Sequence, residues 1–177
     1  MYNFLYAGAN TYGGGVNENV LVQEYAEGEE YAVDTVSMDG VVKAVAVWKY
    51  HKKPMNGAPF VYQCTQLVPC DGPMQEEIVQ YCLDAVRTAG IKWGPTHTEV
   101  RMTAQGPKLI EINARWHSAN FVQICRECIG FDAISATLDA YFDPKAFNSL
   151  PKKPSTLKKS GRIIHLISSV EGKLIGW

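Results

Sequence analysis

Apolar and polar residues alternate with period two on both sides of Gln105-Gly106-Pro107. In the first run His97, Glu99, Arg101 and Thr103 take one side, with Thr98, Val100, Met102 and Ala104 on the other. In the second run Leu109, Glu111, Asn113 and Arg115 share a side opposite Lys108, Ile110, Ile112 and Ala114. Alternation of this kind around a Gly-Pro break predicts a β-hairpin. Turn length decides its chemistry, because a shift of one residue sends side chains to the opposite face. A three-residue loop over 105–107 pairs Ala104 with Lys108, sets Glu99 against Asn113 and Arg101 against Glu111, and gathers all four on one surface. A two-residue loop would put the acids on opposite faces.

Upstream the pattern is mostly that of strands. Residues 1–18 are rich in Gly and Asn and read as a loop-rich entry segment. Asn19–Ala26 reads as a first strand, broken at Glu27-Gly28, and Glu29–Met38 as a second. Asp39-Gly40 is a strong two-residue hairpin turn. Val41–Tyr50 is nearly continuously apolar, which predicts a central strand. His51–Pro59, with two prolines, reads as a polar loop before a strand over Phe60–Val68.

Helical spacing follows. Pro73 suits a first helical position, and Met74, Ile78, Tyr81, Cys82, Ala85, Val86 and Ala89 keep the period until Gly90. Beyond the hairpin, Phe121, Ile124, Cys125 and Cys128 mark a helix over about 120–129, and Asp132 can cap another running to Tyr141. Asp143-Pro144 closes it. Residues 145–160, with prolines and a lysine run, read as a linker, and 161–177 as the start of a C-terminal β segment with a turn at Glu171-Gly172. The pattern is α+β, an antiparallel sheet flanked by helices to one side.

A chain of 177 residues with formal net charge −1 lacks the basic footprint of a nucleic-acid binder. No apolar run is long enough to span a bilayer, and Met1 does not open a secretory signal. Five cysteines, an odd number, point to reduced thiols in a cytoplasmic setting. Cys125-Arg-Glu-Cys128 has metal or redox spacing, but both thiols fall on the apolar face of the expected helix, which favours packing. Gly13-Gly14-Gly15 lacks the Lys-Ser/Thr of a phosphate-cradling loop.

The hairpin carries the chemistry. Glu111 and Asn113 interrupt the apolar run LIEINA, where a solvated face would carry Lys, Thr or Ser. Glu99, Glu111 and Asn113 together offer an all-oxygen set suited to Mg²⁺. The plain alternative is a charged, solvated hairpin face.

VLVQEYAEGEEYAVD, the strand with WKYHK, and GPTHTEVRMTAQGPKLIEINAR together resemble the later part of an ATP-grasp domain, in the carboxylate–amine ligases of the L-amino-acid ligase kind. The resemblance runs from about Asn19 to Pro144, so 19–144 is expected to be a partial ATP-grasp domain. It implies that Gln23 and the backbone of Glu24 and Ala26 meet an adenine edge, that Glu30 accepts ribose hydroxyls, and that Lys52 reaches the phosphates. It implies two Mg²⁺ ions on Glu99, Glu111 and Asn113, with Arg115 on the transferred phosphate and His97 near the phosphates or the substrate. The implied reaction joins a small carboxylate, such as an amino acid, to an amine through an acyl phosphate at the expense of ATP. Trp116-His117-Ser118 stands where many relatives have a small-residue turn, so substrate identity does not carry over. The resemblance also implies a Gly-rich loop, a lysine and a further domain upstream of Asn19. On this resemblance the chain is expected to be truncated at its N-terminus and to bind nucleotide weakly in isolation. The alternatives are a non-catalytic nucleotide- and metal-binding module, or a half-enzyme that needs a missing N-terminal domain or a partner chain.

Overall fold

The computed structural model describes residues 22–118, 121–154, 156–168, 170, 172 and 173. Its centre is a sheet of six strands in the order β5-β4-β1-β2-β3-β6, with every pairing antiparallel. The strands are β1 (Glu29–Met38), β2 (Val41–Met55), β3 (Ala58–Val68), β4 (Gly94–Thr103), β5 (Gly106–Asn113) and β6 (Arg162–Ile164). The helices are α1 (Pro73–Thr88), α2 (Phe121–Cys128), α3 (Ala133–Phe142) and α4 (Pro144–Ser149).

The Asp39-Gly40 turn forms as expected, with Met38 opposite Val41 and both turn residues at positive φ. β2 runs five residues beyond its expected end at Tyr50. Asn56 and Gly57, both at positive φ, make a tight turn that places Met55 opposite Ala58. Pro54 is accommodated because it sits at a register irregularity between Lys53 and Met55, where its missing N–H breaks no regular ladder. The strand expected over Asn19–Ala26 is not seen in its described part, since 22–27 carry no strand pairing. The Ala26 carbonyl is instead taken by the Arg101 guanidinium at 3.1 Å. Gly13-Gly14-Gly15 lies outside the described residues, as does Glu171 of the expected C-terminal turn.

Helices cover both faces of the sheet rather than one. On one face α1 buries Ile78, Val79, Cys82, Leu83 and Val86 against Tyr31, Val33, Val42 and Val100. On the other, α2 packs Phe121, Cys125 and Cys128 against Ala32, Ala46, Trp48 and Tyr50. α3 and α4 continue that layer over Val36 and Val45. Double coverage explains why Val41–Tyr50 of β2 reads as a nearly continuous apolar run and why β1 is buried on both sides from Glu30 onward. Asp132 caps α3 by accepting from the Ile134 and Ser135 amides at 2.9 and 3.1 Å.

The stretch expected to be a linker holds α4 and then follows the body closely. The Ala44 amide donates to Lys152 O, Lys158 N to Cys128 O, and Leu67 N to Gly161 O, before β6 joins β3. Buried Phe147 anchors it, and the Lys43 ammonium caps the end of α4 at Phe147 O (2.8 Å), Asn148 O (3.0 Å) and Leu150 O.

Candidate functional site

The β4–β5 turn has two residues, since Thr103 pairs with Gly106 and Met102 with Pro107. By turn length alone the acids would part. They do not, because the register shifts between Glu99 and Val100, where Val100 faces Leu109 but Glu99 faces Glu111. Ile110 is the extra residue of this β-bulge, and it restores the parity that the short turn removed. Beyond it Glu99 stands opposite Glu111 and His97 opposite Asn113. The expected common face exists, with different partners from those a three-residue loop would give.

That face continues across β1 and β2. Glu30, Ala32 and Asp34 pair with Arg101, Glu99 and His97, and Trp48, Tyr50 and Lys52 lie beyond them on β2. Glu30 is buried, and both its oxygens are engaged, one by Lys52 Nζ and the other by Arg101 Nη2 at 3.0 Å. Burial works against the charge on Lys52, but its bonds to Glu30 and Tyr62 outweigh that and raise its pKa above the ordinary value. Its ammonium sits 4.3 Å over the Tyr62 ring and 5.3 Å over Tyr50.

Gln23, Glu24, Ala26, Glu30, Lys52 and Glu99 all line one cleft of about 770 Å³, a size suited to a nucleotide-sized ligand. Arg101 shapes its wall. The guanidinium lies 4.6 Å over the Tyr25 ring and donates to Tyr25 Oη and Ala26 O, which holds the 23–27 segment against the sheet. Glu111 and Asn113 stand on the adjoining strand, with Asn113 Nδ2 donating to Glu111 Oε1 at 2.7 Å, which leaves Asn113 Oδ1 as an acceptor. Arg115 is exposed and donates to the Trp116 carbonyl.

His97 is buried, with 2% of its surface exposed. Its Nδ1 is 2.7 Å from Asp34 Oδ1, and its Nε2 is 3.1 Å from Tyr50 Oη and 3.3 Å from Glu99 Oε1. Tyr50 Oη donates to Glu99 Oε1 at 3.3 Å. Asp34 Oδ2 accepts from Trp48 Nε1 at 2.7 Å. Burial alone would lower the His97 pKa, but Asp34 and Glu99 outweigh it and raise it well above the usual histidine range. Burial would likewise raise Asp34, yet the imidazoles of His117 and His97 beside it hold it below the usual carboxylate range. Glu99 follows the same logic: burial pushes up, His97 pulls further down, and the carboxylate stays ionised. Burial and the Glu99 charge push the Tyr50 phenol up, which keeps it a neutral donor.

Asp34 escapes a reading of pattern and motif. The one available signal is an acid inside EEYAVDTVSM, whose residues from Glu30 onward are all buried. His117 belongs to the segment that departs from the expected small-residue turn. The segment folds inward: Trp116 Nε1 donates to Thr137 Oγ1 at 3.2 Å, and the His117 ring packs on His97 and Phe121. His117 Nδ1 is buried, 3.4 Å from Asp34 Oδ2.

The residues at the hairpin fit a hard divalent cation. Glu99 and Glu111 face each other directly across the ladder, a pairing of two carboxylates that a cation bound between them would relieve. With Asn113 Oδ1 the donors are all oxygen.

A family model described as the ATP-grasp domain matches residues 8–124. Dapdiamide A synthase of Enterobacter agglomerans is 34% identical over 134 residues, which covers 76% of this chain and 31% of that protein. Carnosine synthase 1 of Gallus gallus is 27% identical over 151 residues, 84% of this chain and 16% of that one. The structure of L-amino acid ligase from Bacillus licheniformis superposes with a TM-score of 0.56 at 26% identity, covering 67% of this chain and 30% of that one. The chain therefore spans about a third or less of the length of these relatives.

Proposed function

Because the chain belongs to the ATP-grasp family, we propose that it supplies the nucleotide- and metal-binding wall of an ATP-dependent carboxylate–amine ligase. The observation that carries this is the single cleft shared by Gln23, Glu24, Ala26, Glu30, Lys52 and Glu99, with Glu111 and Asn113 on the next strand.

On this reading Gln23 and the backbone of Glu24 and Ala26 meet the adenine edge, which needs a donor and an acceptor at fixed positions. Lys52 turns from Glu30 to the phosphates, and the oxygen it releases accepts a ribose hydroxyl, while Arg101 keeps the rest of Glu30 neutralised. Glu99, Glu111 and Asn113 hold Mg²⁺, two ions in the full assembly, which when bound neutralise charge on the phosphates. Arg115, exposed beside them, holds the transferred phosphoryl group. A substrate carboxylate oxygen attacks the γ-phosphorus and ADP leaves, giving an acyl phosphate. An amine then attacks the acyl carbon, phosphate departs, and the amine proton is lost to form the amide. The chain's own groups position the partners and exclude water. The substrates are small molecules, with an amino acid as the carboxylate, in keeping with the likeness to an L-amino acid ligase.

The chain's share of its relatives' length favours a second reading, in which it binds but turns over only with further protein. The described residues hold no helix long and apolar enough to cross a membrane, and the five thiols are free, as a cytoplasmic setting leaves them. Isothermal titration with Mg-ATP tests binding: heat lost on Glu111→Ala supports the site, and no heat in the parent chain refutes it. Phosphate release on adding amino acids then separates the ligase from the binder.

A further inference from the structure

We propose that Asp34, His97 and Tyr50 form a buried positioning relay that aims Glu99 at its cation. The proposal rests on the reading of Glu99 as a metal ligand.

The relay is continuous in space. Asp34 is fixed from two sides, by Trp48 Nε1 on Oδ2 and His97 Nδ1 on Oδ1, both at 2.7 Å. With Nδ1 directed to a carboxylate, the His97 ring can turn only so far, and Nε2 points at Glu99 Oε1. Tyr50 Oη closes a triangle with these two atoms at 3.1 and 3.3 Å. Ala32, opposite Glu99 on β1, contributes only a methyl group, which leaves Tyr50 room to reach in from β2. Oε1 is thus held from behind by two donors, and Oε2 is the oxygen left for a ligand. A carboxylate so anchored presents one fixed lone-pair direction, whereas a free glutamate would sweep several rotamers.

The segment after Arg115 completes the device. His117 lies on the His97 ring and over the Asp34 carboxylate, with its Nε2 3.5 Å from Tyr50 Oη. Trp116, bonded to Thr137 on α3, holds it there. Water is thereby kept from the ionic bonds, which strengthens them. The Trp116-His117-Ser118 departure is on this view the cover of the relay, and its inward fold is what makes His97 a positioning residue and not one that touches substrate.

Manganous ion alone is the probe, titrated into the 177-residue chain and followed by electron paramagnetic resonance, with thermal melting of each variant alongside. His97→Ala is expected to weaken Mn²⁺ binding by about tenfold or more, and His97→Gln, which keeps a donor toward Glu99, to recover most of the loss. Tyr50→Phe is expected to weaken it by a smaller factor with an unchanged melting temperature, and it decides the matter if His97→Ala does not fold. Equal affinity in the parent, Tyr50→Phe and His97→Gln, with loss only in Glu111→Ala, overturns the relay and leaves the metal site standing. Equal losses in His97→Gln and His97→Ala reduce His97 to packing and also overturn it. No Mn²⁺ binding by the parent chain overturns the metal reading and the relay with it.

Discussion

Glu99 and Glu111 face each other across the β4–β5 ladder, two carboxylates paired where a sheet ordinarily sets opposite charges. The arrangement makes stability and metal response pull in opposite directions. Glu111→Gln removes one charge and keeps the acceptor that Asn113 uses. It is expected to raise the stability of the metal-free chain by about 0.2–1 kcal/mol, while the rise in melting temperature that Mg²⁺ gives the parent disappears. Differential scanning fluorimetry with and without MgCl₂ checks both. A variant that is less stable, or that still responds to Mg²⁺, contradicts the assignment.

Glu30 compensates two cations at once, Lys52 and Arg101, with 7% of its surface exposed. Removing it leaves both without their carboxylate in a partly dry site. Glu30→Gln is expected to cost about 3–5 kcal/mol, more than Lys52→Met, which leaves Arg101 to neutralise the carboxylate. Urea denaturation of the two variants gives the order, and the reverse order would show that Lys52 dominates the trio.

Asp132 ties α3 to α2. Its carboxylate takes two amides of the first turn of α3 and the Arg126 guanidinium. Burial raises its pKa, but these bonds outweigh burial and hold it below the usual value. The unfolded chain then binds the proton more readily, so the contribution is present above the ordinary carboxylate range near 4. It is lost as pH falls through the lower folded value. Asp132→Ala is expected to cost about 1–2 kcal/mol at neutral pH, with the gap to the parent narrowing on acidification. Melting curves over that pH range test it, and a gap independent of pH would sink the account.

Gly28 precedes β1 at φ +150, and a Cβ there would lie 2.0 Å from the Met102 carbonyl oxygen. That neighbour is backbone in the next strand and cannot step aside. Gly28→Ala is expected to destabilise the chain by about 1–3 kcal/mol and to displace the 23–27 wall of the cleft. Nucleotide affinity falling further than stability would show the wall has moved. Unchanged affinity would mean that the wall does not depend on this close approach.

Much of the fold could be read from pattern alone, and the exceptions share a cause. The Asp39-Gly40 turn, α1 and the Asp132 cap are set by neighbouring residues, so local sequence was enough. The extension of β2 past Pro54 depends on a bulge opposite β3, and the bulge at Ile110 depends on how β5 lies beside β4; neither leaves a mark in its own residues. Coverage of both sheet faces is likewise a property of packing. For the site, motif resemblance collected the residues around the cleft. His97 reads from the sequence as a group near the phosphates or the substrate, and its burial among β1, β2 and β4 could not be read there, because a strand pattern cannot say whether a polar side chain meets solvent or another strand. Asp34 and Tyr50 become chemical only when β1, β2 and β4 are side by side.

The bulge at Ile110 has one more implication, for how this hairpin can change over time. A short turn with a bulge and a three-residue turn without one both place the acids on a common face. A residue gained in the turn can therefore be offset by straightening the strand, or a residue lost by bending it. Loop length in this hairpin can differ by one while Glu99 and Glu111 keep a common face. Two chains aligned by gap position alone would then look different where their chemistry is the same.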